Sequence, residues 1–322
     1  MYIRFGYVAM SVVLEKASPS STVTFKTYSK LAERDEAAAL SRVRRVARGN
    51  LLNTLRLLRH NRAYGVQVYR FSSKVIPLAT HPKLSEWDYI ADFKEELETI
   101  GGFVKENKFR VSFHPDHYTL LNSPAEEILQ ASLKDLGRHC RLLDAMVLDN
   151  RAKLVIHTGG AYSNKKEALE RFKQNWDRVP RHIADRIAVE NDDKSFTAKD
   201  VLDLCNALSL PMVLDIHHYE CNKEGESLAE ILPAVSATWG TDGLPPKFHI
   251  SSPRSAADFR SHHDFVNPDD LYPFLKLARE FNNDIDIMVE AKQKDRAMFQ
   301  LVRDLAGYPM VERSGDAALK IL

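Results

Sequence analysis

Short apolar runs that end in a histidine or a carboxylate recur six times along this chain. Each run has four to six residues rich in Val, Ile, Leu and Phe, and a turn and a helical pattern follow it. Such runs are typical of strands buried on both faces. Their alternation with helices predicts an α/β fold, a single (β/α)8 TIM barrel with its site at the C-terminal face. The runs end at His114, at His157, at Glu190, at Asp215 and His218, at His249 and at Glu290.

The chain length of 322 residues suits one such barrel, and we expect residues 1–322 to form a single catalytic domain. Helical periodicity is predicted over 33–60 and 85–107, after the Ser123-Pro124 pair, and from Lys165 onward. The polar stretch 16–29 is predicted to be a loop over the barrel mouth. The eight strands are predicted at 3–9, 66–71, 110–113, 154–157, 187–190, 212–216, 247–250 and 285–290.

Charge and cysteine usage narrow the class of protein. The formal net charge is +1, so a nucleic-acid partner would need a local basic face. The run RVRRVAR is either a solvated helix face or a stripe that binds a DNA backbone. Three cysteines without CxxC spacing favour reduced thiols and a cytoplasmic protein. No signal peptide and no membrane segment are predicted.

The clustered ligand-type residues predict a metal site. Buried carboxylates are costly unless they are paired or bound to metal, and here three of them end apolar strands. Imidazole and carboxylate without a neighbouring thiol fits Zn²⁺, Mn²⁺ or Fe²⁺. The number of ligand groups exceeds what one ion needs, so two or three ions are expected. Such sites suit phosphate-ester hydrolysis, in which one ion generates hydroxide and the others stabilise the phosphate oxygens.

At these residues the chain resembles the UV damage endonucleases, which are related in fold and metal site to the apurinic endonuclease IV group. The shared motifs run from the first strand to the last. The resemblance implies three divalent ions, Mn²⁺ first with Zn²⁺ or Mg²⁺ as alternatives, on a TIM barrel. It also implies an endonuclease that hydrolyses double-stranded DNA 5′ to a UV photoproduct. A monomer is expected, because it suits an enzyme that must wrap a bent duplex. The motifs are FGYVA, YRFSSKVIP, THP, FHPDHY, VIHTGG, VENDD, LDIHHY, KFHISS, HHDFV and MVEAKQKD.

The same resemblance assigns ligands to the three ions. Of the adjacent pair in HHDFV, His262 is favoured over His263. One ion takes His114 and His157 with Glu190 as a bridge, the second takes Asp215, His249 and Glu290, and the third takes His218, His262 and Asp264.

Catalytic roles by resemblance fall to Glu190, Lys247 and His81. Lys247 shares a strand face with His249 and is either carboxylated, as the corresponding lysine can be in this family, or a phosphate ligand. His81 either contacts the phosphate or the water bound to metal, or is a structural loop residue.

The lesion-probing pair of the family corresponds to His117 and Tyr118, although the family often has Gln at the first position. Inserted side chains of this kind open the base stack. Tyr7 is either a further contact or a core aromatic. Candidate phosphate contacts are Ser72, Ser73, Tyr162, Lys165 and Lys292.

Three other functions fit parts of the pattern. A sugar isomerase or epimerase of the xylose-isomerase-like barrels also places Glu, Asp and His at strand ends, but it needs fewer histidines and fewer ions. A damage-binding protein without catalysis would not need the full ligand set. An abasic-site endonuclease would differ only in the lesion loop.

Overall fold

A computed structural model describes residues 1–240, 243–281 and 283–322. Eight parallel strands pair in sequence order, and β1 closes the ring by pairing with both β8 and β2. The predicted TIM barrel is therefore confirmed. The strands are β1 (Tyr2–Val8), β2 (Val68–Arg70), β3 (Arg110–Phe113), β4 (Lys153–His157), β5 (Ile187–Glu190), β6 (Met212–Asp215), β7 (Lys247–Ile250) and β8 (Ile285–Val289).

Helices follow the strands and cover the outside of the barrel. They are α1 (Phe25–Ala32), α2 (Glu36–Ala63), α3 (Tyr89–Asp92), α4 (Lys94–Glu106), α5 (Glu126–Ala145), α6 (Lys165–Trp176), α7 (Arg181–Ala184), α8 (Ala198–Leu208), α9 (Ile216–Cys221), α10 (Leu228–Ala237), α11 (Pro268–Arg279) and α12 (Lys294–Leu305), with a 3-10 turn at Pro82–Leu84.

The stretch 16–29 is not wholly a loop, because α1 begins within it. The Thr24 side chain accepts a hydrogen bond from the Thr27 backbone N–H and caps α1. Asp35 caps α2 in the same way through the N–H of Ala38. The polar residues that suggested a loop therefore include a helix cap. The helix predicted over 85–107 is also divided, since α3 and α4 are separate.

Two further strands, β9 (Val311–Arg313) and β10 (Ala318–Ile321), extend the sheet and were not predicted. β10 pairs antiparallel with residues 2–4 of β1, while β2 pairs with residues 6–8. At Gly6 the strands approach so closely that a Cβ atom would lie 2.2 Å from the Val68 carbonyl oxygen. A glycine is therefore required where β1 turns from one neighbour to the other.

The barrel interior below its C-terminal end is charged. Arg4 Nε lies 2.6 Å from Asp286 Oδ1, and Arg110 Nη1 lies 2.6 Å from Asp286 Oδ2. These ion pairs connect β1, β3 and β8 across the interior. The apolar core lies mainly between the barrel wall and the surrounding helices.

Candidate metal centre

Glu190 lies at the centre of a cluster of ligand-type side chains at the C-terminal ends of the strands. Its Oε2 is 2.9 Å from His114 Nε2 and 3.8 Å from His157 Nε2. Its Oε1 is 2.7 Å from His249 Nδ1. Ligand atoms of His114, His157 and Glu190 all lie within 4.8 Å of one another, which is the spacing around a single ion.

A second group shares Glu190 and adds Asp215, His249 and Glu290, again within 4.8 Å. Asp215 Oδ2 is buried and has no hydrogen-bond partner, whereas Oδ1 accepts from the His218 backbone N–H. Buried acceptors are almost always paired. An unpaired carboxylate oxygen beside two other carboxylates therefore fits a divalent cation, and the donor set suits Zn²⁺, Mn²⁺ or Fe²⁺.

Three histidines are oriented by backbone carbonyls. The Nδ1–H of His114 donates to Pro115 O over 3.0 Å, that of His218 to Asn191 O over 3.0 Å, and that of His262 to Glu290 O over 2.7 Å. Since a carbonyl only accepts, Nδ1 carries a proton in each ring, and Nε2 is the nitrogen left to bind a metal once any proton on it has been lost. This arrangement fixes the tautomer that binds metal through Nε2.

The residues predicted for a third ion are less closely grouped. The ring centroids of His218 and His262 are 6.2 Å apart, and both side chains line the mouth of the barrel. The Asp264 side chain is exposed, and its backbone carbonyl accepts from Gln293 N. Within the described ranges, the two tight ligand groups include none of these three residues.

The charges in the cluster oppose the effect of burial. Burial would raise the pKa of Glu190, but the imidazoles of His249 and His157 hold that pKa well below its usual range. Burial also disfavours a charge on His218, yet Asp215 and the neighbouring glutamates raise its pKa to about 9. For His157 burial prevails and lowers the pKa. The cluster therefore keeps the Glu190 carboxylate ionised.

Arg70 is a cluster residue that sequence reasoning missed. Its guanidinium is buried at the end of β2, forms an ion pair with Glu290, and lies 3.2 Å from His249 Nε2. The YRFSS motif contains this residue two positions before the predicted Ser72-Ser73 contacts. The sequence feature that indicates Arg70 is a short buried strand that ends in an arginine, where most other barrel strands have a histidine or a carboxylate at or next to their ends.

Lys247 lies inside the barrel below the ligands. It is 1% exposed, and its Nζ donates to Ser112 Oγ over 3.3 Å. Burial, together with the neighbouring Arg110, lowers the pKa of its ammonium group well below the usual value. A direct contact with a DNA phosphate, one of the two predicted roles, does not fit this position.

The architecture and sequence were compared with known proteins. A model of the family described as UV-endonuclease UvdE matches residues 3–321. The chain belongs to this family. A UV DNA damage endonuclease of Halalkalibacterium halodurans is 44% identical over 321 residues, covering 99% of each chain. A UV DNA damage endonuclease of Bacillus cereus is 40% identical over 320 residues, covering 99% of this chain and all of the relative.

Two solved structures share the barrel architecture of this UvdE family member. The crystal structure of SacUVDE is 32% identical, covers 94% of this chain and 98% of its own, and has a TM-score of 0.83. Endonuclease IV from Thermus thermophilus is 12% identical, covers 94% of this chain and 97% of its own, and has a TM-score of 0.56. The second likeness shows that the barrel fold is shared.

Two adjoining cavities open above the cluster in this UvdE family member. The first, of about 380 Å³, is lined by Ser72, Ser73 and His117 as well as cluster histidines. Ser73 Oγ donates to the His114 carbonyl, and Ser72 Oγ lies 2.6 Å from Ser20 Oγ. Tyr118 is 73% exposed, with its ring centroid 4.1 Å from that of His117. The predicted probing pair is therefore an exposed tip beside the cavity.

Tyr7 lies in the core, and His81 is held by contacts within its own part of the chain surface. Tyr7 is fully buried and its hydroxyl donates to Asn61 Oδ1, so it is a core aromatic. His81 Nδ1 accepts from Lys83 N, and its ring stacks on Phe25 with centroids 3.7 Å apart. This favours the structural interpretation of His81, because its contacts support a loop rather than the cluster.

The remaining predicted phosphate contacts lie at the rim. Lys165 Nζ forms an ion pair with Asp200 at 2.5 Å, which reduces its availability to a phosphate. The Tyr162 ring is 39% exposed and lies under the Arg171 guanidinium. Lys292 is exposed, and its backbone N–H donates to the His263 carbonyl.

The basic face of α2 is partly neutralised. Arg44 pairs with Asp92 at 2.6 Å, and Arg48 pairs with Glu96 at 2.7 Å. Both pairs are largely exposed, so each is weak. The solvated interpretation therefore fits this helix better than a stripe that binds DNA.

Within the described ranges, every helix is too short or too polar to span a membrane.

Proposed function

We propose that this protein is a metal-dependent DNA-repair endonuclease that hydrolyses the phosphodiester 5′ to a UV photoproduct in double-stranded DNA. The observation that carries the proposal is the Glu190-centred cluster of imidazoles and carboxylates below an open cavity. The relatives named UV DNA damage endonuclease, which align over nearly the whole chain, support the same reaction.

The protein residues would act in three ways. Glu190, Asp215, Glu290 and the cluster histidines would hold two divalent ions, and His218 with His262 would hold a third. Such ions supply a nucleophile at neutral pH and stabilise charge on the phosphate oxygens. Arg70 would fix Glu290, since its guanidinium pairs with that carboxylate. The exposed His117–Tyr118 tip would open the base stack and hold the backbone over the cavity.

Mn²⁺ is the ion that we propose, with Zn²⁺ or Mg²⁺ as alternatives. We also propose that residues 1–322 act as one catalytic domain and as a monomer. In support of a single domain, the strands of the barrel and its two added strands form one sheet from β1 to β10.

The test uses end-labelled duplexes, one with a single cyclobutane dimer and one undamaged. The protein, the Glu190→Gln variant and a matched Glu312→Gln control, which changes an exposed glutamate on β9, are each incubated with Mn²⁺ or with EDTA. We expect a nick immediately 5′ of the dimer with wild type and Glu312→Gln, and none with Glu190→Gln or EDTA. If metal binds but no divalent ion supports nicking, the endonuclease proposal is wrong and a sugar isomerase becomes the better hypothesis.

A further inference from the structure

The loop between β7 and α11 carries two exposed side chains that the roles proposed above do not use. Phe259 is 42% exposed, and the Arg260 side chain is 56% exposed. A single exposed ring is ordinary on a protein surface, so its surroundings decide whether it is a binding group. Here the ring lies two residues before Ser261 and three before His262, a residue of the metal centre.

The loop is held as a short tongue (residues 251–263) whose two arms pair with each other. Arg254 N donates to Ser261 O over 2.7 Å, and His263 N donates to Ser252 O over 2.9 Å. Pro253 and His262 form an antiparallel bridge between these bonds. The tip that carries Phe259 and Arg260 is therefore fixed relative to His262.

A buried histidine, His217, attaches this tip to the barrel. Its Nε2–H donates to the Phe259 carbonyl over 2.8 Å, and its Nδ1 lies 2.6 Å from Ser251 Oγ. The ring centroids of His217 and Phe259 are 5.7 Å apart. His217 is 3% exposed, so it contacts the tongue from below and leaves the outer face of Phe259 free.

Arg260 lines the second cavity, whose volume is about 470 Å³, together with His218 and His262. His117 lines the same cavity, so the tongue and the lesion-probing tip both border it. Arg260 Nε is 3.8 Å from Asp193 Oδ2, and both side chains are exposed. An exposed pair at that distance contributes little, which leaves the guanidinium available to a stronger anion such as a phosphate.

We propose that Phe259 and Arg260 form a second DNA-contacting pair across the cavity from His117 and Tyr118, with His217 as its positioning residue. The inference rests on the proposed endonuclease function. Phe259 stacks on an unstacked base of the substrate strand, and Arg260 binds a neighbouring phosphate. Aromatic stacking of this kind tolerates any base, whereas a phosphate contact depends on salt.

Binding is measured by fluorescence anisotropy with a dimer-containing duplex at several salt concentrations, and nicking is measured with Mn²⁺. Phe259→Ala should weaken binding and raise KM by about 5- to 100-fold with a smaller change in kcat. Arg260→Ala should lower the slope of log K against log salt by about one. The matched controls are Val147→Ala and Arg181→Ala, exposed residues at the N-terminal side of the barrel, which should match wild type.

His217→Ala should reproduce the KM defect of Phe259→Ala, because the tip loses its attachment. The double variant with Phe259→Ala should then be no worse in KM than either single variant. Hydrogen exchange of the tongue amides should accelerate in His217→Ala and remain unchanged in Phe259→Ala. Additive KM effects would show that His217 does not act through the tongue.

The outcomes separate this inference from the proposed function. If wild type nicks the damaged duplex but both Phe259→Ala and Arg260→Ala behave like their controls, the second pair is wrong and the endonuclease stands. If wild type does not nick at all, yet both variants still lose affinity for the damaged duplex, the pair stands and the proposed catalysis is wrong.

Discussion

Glu190 and Asp215 are both buried carboxylates at strand ends, but they differ in how many hydrogen bonds the protein gives them. Glu190 contacts histidines through both oxygens, whereas Asp215 uses one oxygen to cap α9 and leaves the other buried and unpaired. The predicted ligands at these two positions could be read from the sequence, because each ends an apolar strand. Arg70 could not, since nothing in a run of residues shows that its charge will meet Glu290 across the barrel.

Asp215→Asn separates the two roles of that residue. The amide oxygen can still accept from the His218 N–H, so the start of α9 should be preserved. Metal affinity should fall by at least about tenfold, because a neutral amide replaces an anionic ligand. Folding should change little, because the hydrogen bond to His218 remains. Metal content by mass spectrometry and the melting temperature measure the two effects. Unchanged metal content would show that Asp215 is not a ligand.

Lys247 lies among three guanidinium groups, Arg4, Arg70 and Arg110, with Asp286 as a nearby carboxylate. A carboxylated lysine would place a negative charge among these cations. We therefore expect protein equilibrated with ¹³C-bicarbonate to give a carbamate signal by ¹³C NMR. Lys247→Met should remove the signal, and Lys320→Met, an exposed lysine on β10, should retain it. No difference between wild type and Lys247→Met would contradict carboxylation.

At the scale of elements, the fully buried strands of the barrel were predictable, and the two added strands with exposed residues were not. β3, β5 and β7 lie where they were predicted, because each is fully buried and has a ligand-type residue at or next to its end. β9 has two exposed residues out of three, β10 contains the exposed Lys320, and neither strand ends in a histidine or a carboxylate. The start of α1 was missed because a threonine such as Thr24 is as compatible with a polar loop as with a helix N-cap.

Gly6→Ala should disrupt the junction between β1 and β2. The added Cβ would meet the Val68 carbonyl at 2.2 Å, and backbone cannot move away as a flexible side chain can. We expect the free energy of unfolding to fall by roughly 1–3 kcal/mol. Gly102→Ala is the matched control, because a Cβ there meets open space within α4 and should stabilise the helix by about 0.5–1 kcal/mol. Urea unfolding measures both, and equal effects would contradict the steric argument.

For the whole molecule, stability should depend on a histidine outside the proposed ligand set. His139 on α5 is fully buried against Phe113, and burial together with Arg138 lowers its pKa to about 3. In the unfolded chain the pKa returns to about 6.5. The unfolded state therefore binds more protons between these values, so stability is present above about pH 6.5 and is lost as the pH falls towards 3.

Chemical unfolding at pH 7.0 and at pH 5.0 measures this dependence. We expect the free energy of unfolding of wild type to fall from pH 7.0 to pH 5.0 and that of His139→Gln to fall less. At pH 7.0 the variant should be less stable than wild type. His182→Gln, an exposed histidine on α7, should follow wild type. If His139→Gln shows the same pH dependence as wild type, other groups are responsible.

The acceptors that orient His114, His218 and His262 are the main-chain carbonyls of Pro115, Asn191 and Glu290. A main-chain oxygen survives any substitution of the residue that carries it. The orientation of these imidazoles is therefore set by the path of the backbone. Substitutions of the neighbouring side chains can accumulate without rotating the rings. Only a change that shifts a strand end, such as an insertion or deletion, would turn all three lone pairs away from a common point.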